Sequence, residues 1–258
     1  MRSSSMTWRA PGTASTVPLV AVAHGSRDPR AAATVERLLD LVRRARPELP
    51  VRTAYLDHAP PTLPMALSGL AEAAVLPLLL TEAYHSRVDI PGALAEVTAR
   101  RPLLRVHRGA TLGPHPLLVT ALERRLAEAG VEAGDPGTAV VLVSASSSDR
   151  RANATVAQVA REWAGRRGWW SVTTAYASAA EPTPEQEVRR LVEAGAPRVV
   201  VAPYLLAPGY FADRIRATTL AAGAEVVADV LGAAPELATV LLERYEQAVQ
   251  REKSFATA

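Results

Sequence analysis

Apolar runs bounded by turn residues alternate with helix-patterned stretches along the whole chain. The runs near 17–23, 51–56, 74–80 and 103–107 read as strands, and so do those near 138–143, 171–176, 197–203 and 225–230. Helices are expected to fill most of the intervals, with two more near 115–129 and 235–250. Strands that alternate with helices of this length imply right-handed βαβ crossovers and parallel sheets. The predicted fold class is therefore α/β. Two tandem, doubly wound, flavodoxin-like units with four-stranded parallel sheets face one another across a cleft, and strand order 2-1-3-4 is expected in each.

The two halves resemble each other. "TAYLDHAPPT" from Thr53 and "TAYASAAEPT" from Thr174 lie at an offset of 121 (174 − 53), which also pairs Asp28 with Asp149 and Leu70 with Leu191. Further on, "PLLLTEAYHSRVDI" from Pro77 matches "PYLLAPGYFADRI" from Pro203 at an offset of 126 (203 − 77). A repeat this long is a duplicated domain and not a solenoid. "AEAGVEAGDPGT", residues 127–138, reads as the linker. The expected division is a disordered lead-in over 1–16, a first α/β domain over 17–132 and a second over 133–258.

The copies differ where polar chemistry is concerned. His24 pairs with Ala145, Asp57 with Ser178 and His85 with Phe211, so three metal-competent side chains occur together in the first copy alone. In open parallel sheets, ligands bind beyond the carboxyl ends of the strands. His24 follows the first strand, Asp57 the second and His85 the third. With neighbouring strands about 4.8 Å apart, the three could converge on one ion. Taken singly, each has a plain reading: a turn histidine bonded to backbone, a turn cap, and a ring packed beside Tyr84. His58 competes with Asp57, because a one-residue change of register exchanges the faces of a strand. His107 and His115 are weaker candidates, one ending an apparent strand and the other in the turn "LGPHP".

The loop after His24 carries its own signals. Gly25 permits a tight turn, Ser26 and Asp28 can cap, and Pro29 suits the first helical position. The following helix N-terminus would aim N–H groups at an anion, with Arg27 and Arg30 beside it and Arg87 near His85. The second half offers the hydroxyls of Ser146, Ser147 and Ser148, then Arg150 and Arg151, and later Asp213 and Arg214. Two such loop sets across a cleft suit a ligand with several carboxylates.

Composition narrows the choices. The 258 residues hold no cysteine, which excludes disulfides, thiolate metal sites and a Cys nucleophile. Net charge is only +3, and Lys253 is the one lysine, so the cations are nearly all arginine. No lysine-rich or aromatic-interleaved stretch points to nucleic acid, and no apolar run spans a bilayer. The polar start "MRSSSMTWRAPGTAST" lacks a secretory core, so a cytoplasmic location is expected. A covalent phosphohistidine at "HG" calls for Arg before the histidine, where Ala23 stands.

"AHGSRDPRA", "YLDHAPPT", "PLLLTEAYHSRVDIP" and "TLGPHPLL", in that order, resemble the sirohydrochlorin/cobalt chelatase family, the class II tetrapyrrole chelatases of CbiX type in their two-domain form. The resemblance covers roughly 17–245. It implies a chelatase-like fold and insertion of a divalent metal into sirohydrochlorin, a lyase reaction. Iron for sirohaem is favoured, with cobalt for cobalamin close behind and Ni²⁺ within reach. It also implies that His24 and His85 bind the metal, and imidazole chemistry suits one of them to take the pyrrole protons. Asp57 stands where the family carries a glutamate, one methylene longer, and "TEAY" replaces a Gly-rich stretch. The metal and the macrocycle are then substrates, no other cofactor is expected, and the protein is a monomer or homodimer. A non-catalytic carrier of tetrapyrrole or metal is the alternative.

Overall fold

A computed structural model of the chain describes residues 16–82, 88–145, 149–166 and 168–255. The expected lead-in lies outside these apart from Thr16, and so do His85, Arg87, Ser146, Ser147 and Ser148. The first sheet consists of β1 (Leu19–Ala23), β2 (Val51–Tyr55), β3 (Glu72–Pro77) and β4 (Arg105–Arg108). The second consists of β5 (Thr138–Ser144), β6 (Ser171–Tyr176), β7 (Arg198–Tyr204) and β8 (Val226–Val227). Both are wholly parallel, in the orders β2-β1-β3-β4 and β6-β5-β7-β8. The α/β class and the sheet sizes are as the apolar pattern predicts, and the strand order is the 2-1-3-4 expected of a doubly wound unit. Central strands β1 and β5 are buried along their whole length, as sheets covered by helices on both faces require.

The helices are α1 (Pro29–Ala45), α2 (Leu63–Ala66), α3 (Ile90–Arg100) and α4 (Pro116–Glu128), then α5 (Arg150–Arg166), α6 (Pro184–Glu193), α7 (Tyr210–Ala221) and α8 (Pro235–Phe255). Thr34, Val35, Leu38, Leu39 and Val42 form the buried stripe of α1 at three- and four-residue spacing. Asp28 caps that helix by accepting from the Arg30 N–H at 2.9 Å, and Pro29 opens it.

The duplication persists in detail. The N–H of Tyr55 donates to the Pro61 carbonyl, and at an offset of 121 the N–H of Tyr176 donates to that of Pro182. The last helix of each half packs on the other half's side of the molecule. Helix α4 lies against β7, while α8 lies against α1, β3 and β4. Arg244 of α8 donates to the carbonyls of Thr111, Leu112 and Pro114, and Arg125 of α4 donates to that of Leu231. His115 caps α4, its Nδ1 accepting from the Leu117 N–H, with Nε2 3.1 Å from a Glu243 carboxylate oxygen on α8. One apolar core thus runs through both halves, from Leu19 and Leu38 to Leu142, Trp163 and Leu241. Among the described residues, no helix is long and apolar enough to cross a membrane.

Candidate metal-insertion cleft

Between the carboxyl ends of the two sheets lies a cleft of about 690 Å³, lined from both halves. His24 leaves β1 at its rim. The backbone ladder continues past the sheet there, with the Leu56 N–H bonded to the Ala23 carbonyl and the Asp57 N–H to the His24 carbonyl at 2.9 Å. This close approach explains the next residue. A Cβ on Gly25 would fall 1.8 Å from the Asp57 carbonyl oxygen, and its φ of +97° is glycine's domain. Ser26 then accepts from the Asp28 N–H at 3.1 Å and sets the turn into α1.

At the neighbouring strand end, His58 takes φ +64°, unusual for a residue with a side chain. Its ring sits edge-on to that of His24, centroids 6.4 Å apart. Asp57 holds this turn: one carboxylate oxygen accepts from the His58 N–H at 2.7 Å, and the other lies 3.4 Å from His58 Nε2. The Asp57 side chain is 62% exposed and that of His58 31%. The cleft wall includes His24 and His58 but not Asp57. Among the described residues no group of three His, Asp or Glu side chains is arranged to hold a metal.

The predicted arginines part company. Arg27 and Ser26 line the cleft. Arg30 does not: its guanidinium grips Asp28 and reaches Asp213 on α7, each at 2.6 Å. Both aspartates hold it, raising its pKa, and it in turn keeps both carboxyls below their ordinary range. Arg30 is thus a strap between the halves, not a free anion receptor. Arg214 lines a separate small groove with Ser178 and Thr183. Arg150 is exposed on the first turn of α5 and is not among the described cleft-lining residues, although Ala152 and Asn153 of the same turn are.

Other lining residues were not anticipated. Tyr204, at the end of β7, is buried and donates to the Leu80 carbonyl of the first half at 3.3 Å; burial pushes its phenol pKa up. Tyr210 and Phe211 open α7 and line the cleft while remaining 70% and 39% exposed. Two adjacent aromatics in a chain with 5% aromatic residues were the available signal.

The family model of CbiX matches residues 18–129 and again 139–248. The chain belongs to the CbiX family. Among CbiX relatives, the sirohydrochlorin cobaltochelatase of Priestia megaterium is 27% identical over 244 residues, 90% of this chain and 79% of that protein. The sirohydrochlorin ferrochelatase of the same organism is 28% identical over 203 residues, 76% of this chain and 75% of that protein. A solved structure of SirB from Bacillus subtilis with Fe³⁺ superposes with a TM-score of 0.81 at 25% identity, covering 93% of this chain and 98% of SirB.

Proposed function

We propose that this CbiX member is a sirohydrochlorin chelatase: it inserts Fe²⁺ or Co²⁺ into the metal-free macrocycle within the cleft. The observation that carries the reading is a pair of imidazoles, His24 and His58, on one wall of a cleft formed by both halves of a CbiX match. Curated relatives named for cobalt and for iron both support it.

Metallation exchanges two pyrrole protons for one divalent ion. Imidazole suits both sides of that exchange, since neutral nitrogen ligates late first-row ions and accepts protons near neutral pH. His24 is assigned to hold the ion, with His85 as the partner implied by the family resemblance. Asp57 acts through His58, fixing its backbone turn and its ring at the cleft wall. Arg27, with Ser26 beside it, meets a peripheral carboxylate. The metal and the macrocycle are substrates, so the reaction needs no resident cofactor.

Anaerobic mixing of the protein with sirohydrochlorin and Fe²⁺ or Co²⁺, followed in the visible spectrum, tests this. Metallation is expected to run well above the protein-free rate, with His24→Ala reducing it at least a hundredfold and His58→Ala about tenfold. A spectral shift on binding without any acceleration would leave a carrier and end the enzymatic reading. The ratio of initial rates with the two ions identifies the preferred metal.

A further inference from the structure

We infer that Tyr210 and Phe211, at the start of α7, form the seat on which the conjugated face of the macrocycle rests, so that the second half recognises the ring. This rests on the chelatase reading above. Large apolar side chains left exposed inside a cleft mark a surface that something covers. Here the two rings line the same cleft as His24 and His58. Their centroids are 5.6 Å apart and their planes 67° apart, an edge-to-face pair. That geometry suits a broad flat π-system, which pairs with aromatic rings in offset or edge-to-face contact.

The rest of the lining points to the same occupant. Leu78, Leu205, Ala207 and Pro208 are apolar, while Arg27 is the one guanidinium among the described lining residues. A conjugated ring with carboxylates at its periphery matches such a site: the face is desolvated against aromatics and the acids stay near Arg27 and solvent. A free metal ion or a small anion has no use for the aromatic pair. The repeat agrees, since Phe211 pairs in sequence with His85, an aromatic hydrocarbon replacing an imidazole.

The test is titration of metal-free sirohydrochlorin into wild type, Tyr210→Ala/Phe211→Ala and Phe211→Trp, read by difference absorbance, with KM measured beside it. The double variant is expected to bind the macrocycle about tenfold or more weakly and to raise KM in step, while Phe211→Trp retains binding. Co²⁺ binding measured by calorimetry is expected to be unchanged, which also shows that the double variant is folded. Equal macrocycle affinity in wild type and double variant overturns this inference alone. Failure of the wild type to bind sirohydrochlorin overturns the chelatase reading and the seat with it.

Discussion

Arg30 and Asp213, 183 residues apart, meet at 2.6 Å and strap the first turn of α1 to the first turn of α7. The strap crosses between the halves that form the cleft, and Asp28 shares the same guanidinium. Both carboxyls are held below the ordinary Asp value of 3.8, first of all by their hydrogen bonds to Arg30. A carboxyl with a depressed folded-state pKa stabilises the fold above the unfolded pKa, and that contribution disappears as pH falls through the folded value. Asp213→Asn should therefore lower Tm slightly near neutral pH, with the gap closing as pH drops below the carboxylate range. Thermal scans in a pH series check this. The same gap should narrow in high salt, because the pair is solvent-exposed. A gap independent of both pH and salt would mean that Asp213 matters through packing alone.

Much of this architecture could be read from the chain, and the reasons for the exceptions are physical. The parallel α/β class followed from the alternation of apolar runs, and the duplication from paired motifs such as "TAYLDHAPPT" and "TAYASAAEPT", while the strand order is the common doubly wound one. The neighbourhood of His24 followed from its place after a buried strand. Which of Asp57 and His58 faces the cleft did not, because the positive φ of His58 inverts the alternation that a strand would give. The destination of Arg30 was equally hidden, since its partner Asp213 is remote in sequence and placed by the packing of α7. Periodicity marked α4 and α8 as amphipathic without saying which sheet each would cover.

The approach of the Asp57 carbonyl to Gly25 makes that glycine a sensitive position. Gly25→Ala adds a Cβ that would lie 1.8 Å from backbone oxygen, and it also forces a left-handed φ on alanine. Gly130, at φ +78°, has open space around its would-be Cβ and so isolates the second effect. Gly130→Ala is expected to cost about 1 kcal/mol. Gly25→Ala should cost about 3 kcal/mol or separate the His24 and His58 turns, with loss of metallation in either case. Urea unfolding and the chelation assay on both variants check the comparison. Equal costs would show that the two strand-end loops have room to part.

The exchange of terminal helices predicts how the molecule unfolds. Leu237, Val240 and Leu241 of α8 are fully buried, and Tyr245 of the same helix donates to the Val17 carbonyl just before β1. The helix belongs by sequence to the second half and packs on the first, so neither sheet keeps its cover if the other half opens. Leu241→Ala removes buried methyl groups and should cost about 2–5 kcal/mol, lowering Tm by roughly 5–15 °C. Three of the four tryptophans, Trp163, Trp169 and Trp170, lie in the second half, so in a Trp8→Phe background indole fluorescence reports on that half while far-ultraviolet circular dichroism reports on both. Coincident transitions by the two probes are expected for the wild type and for Leu241→Ala, because a shared core couples the halves. In the variant, a fluorescence transition that stays in place while the dichroism midpoint falls would mean that α8 stabilises the first sheet alone and that the core is not one cooperative unit.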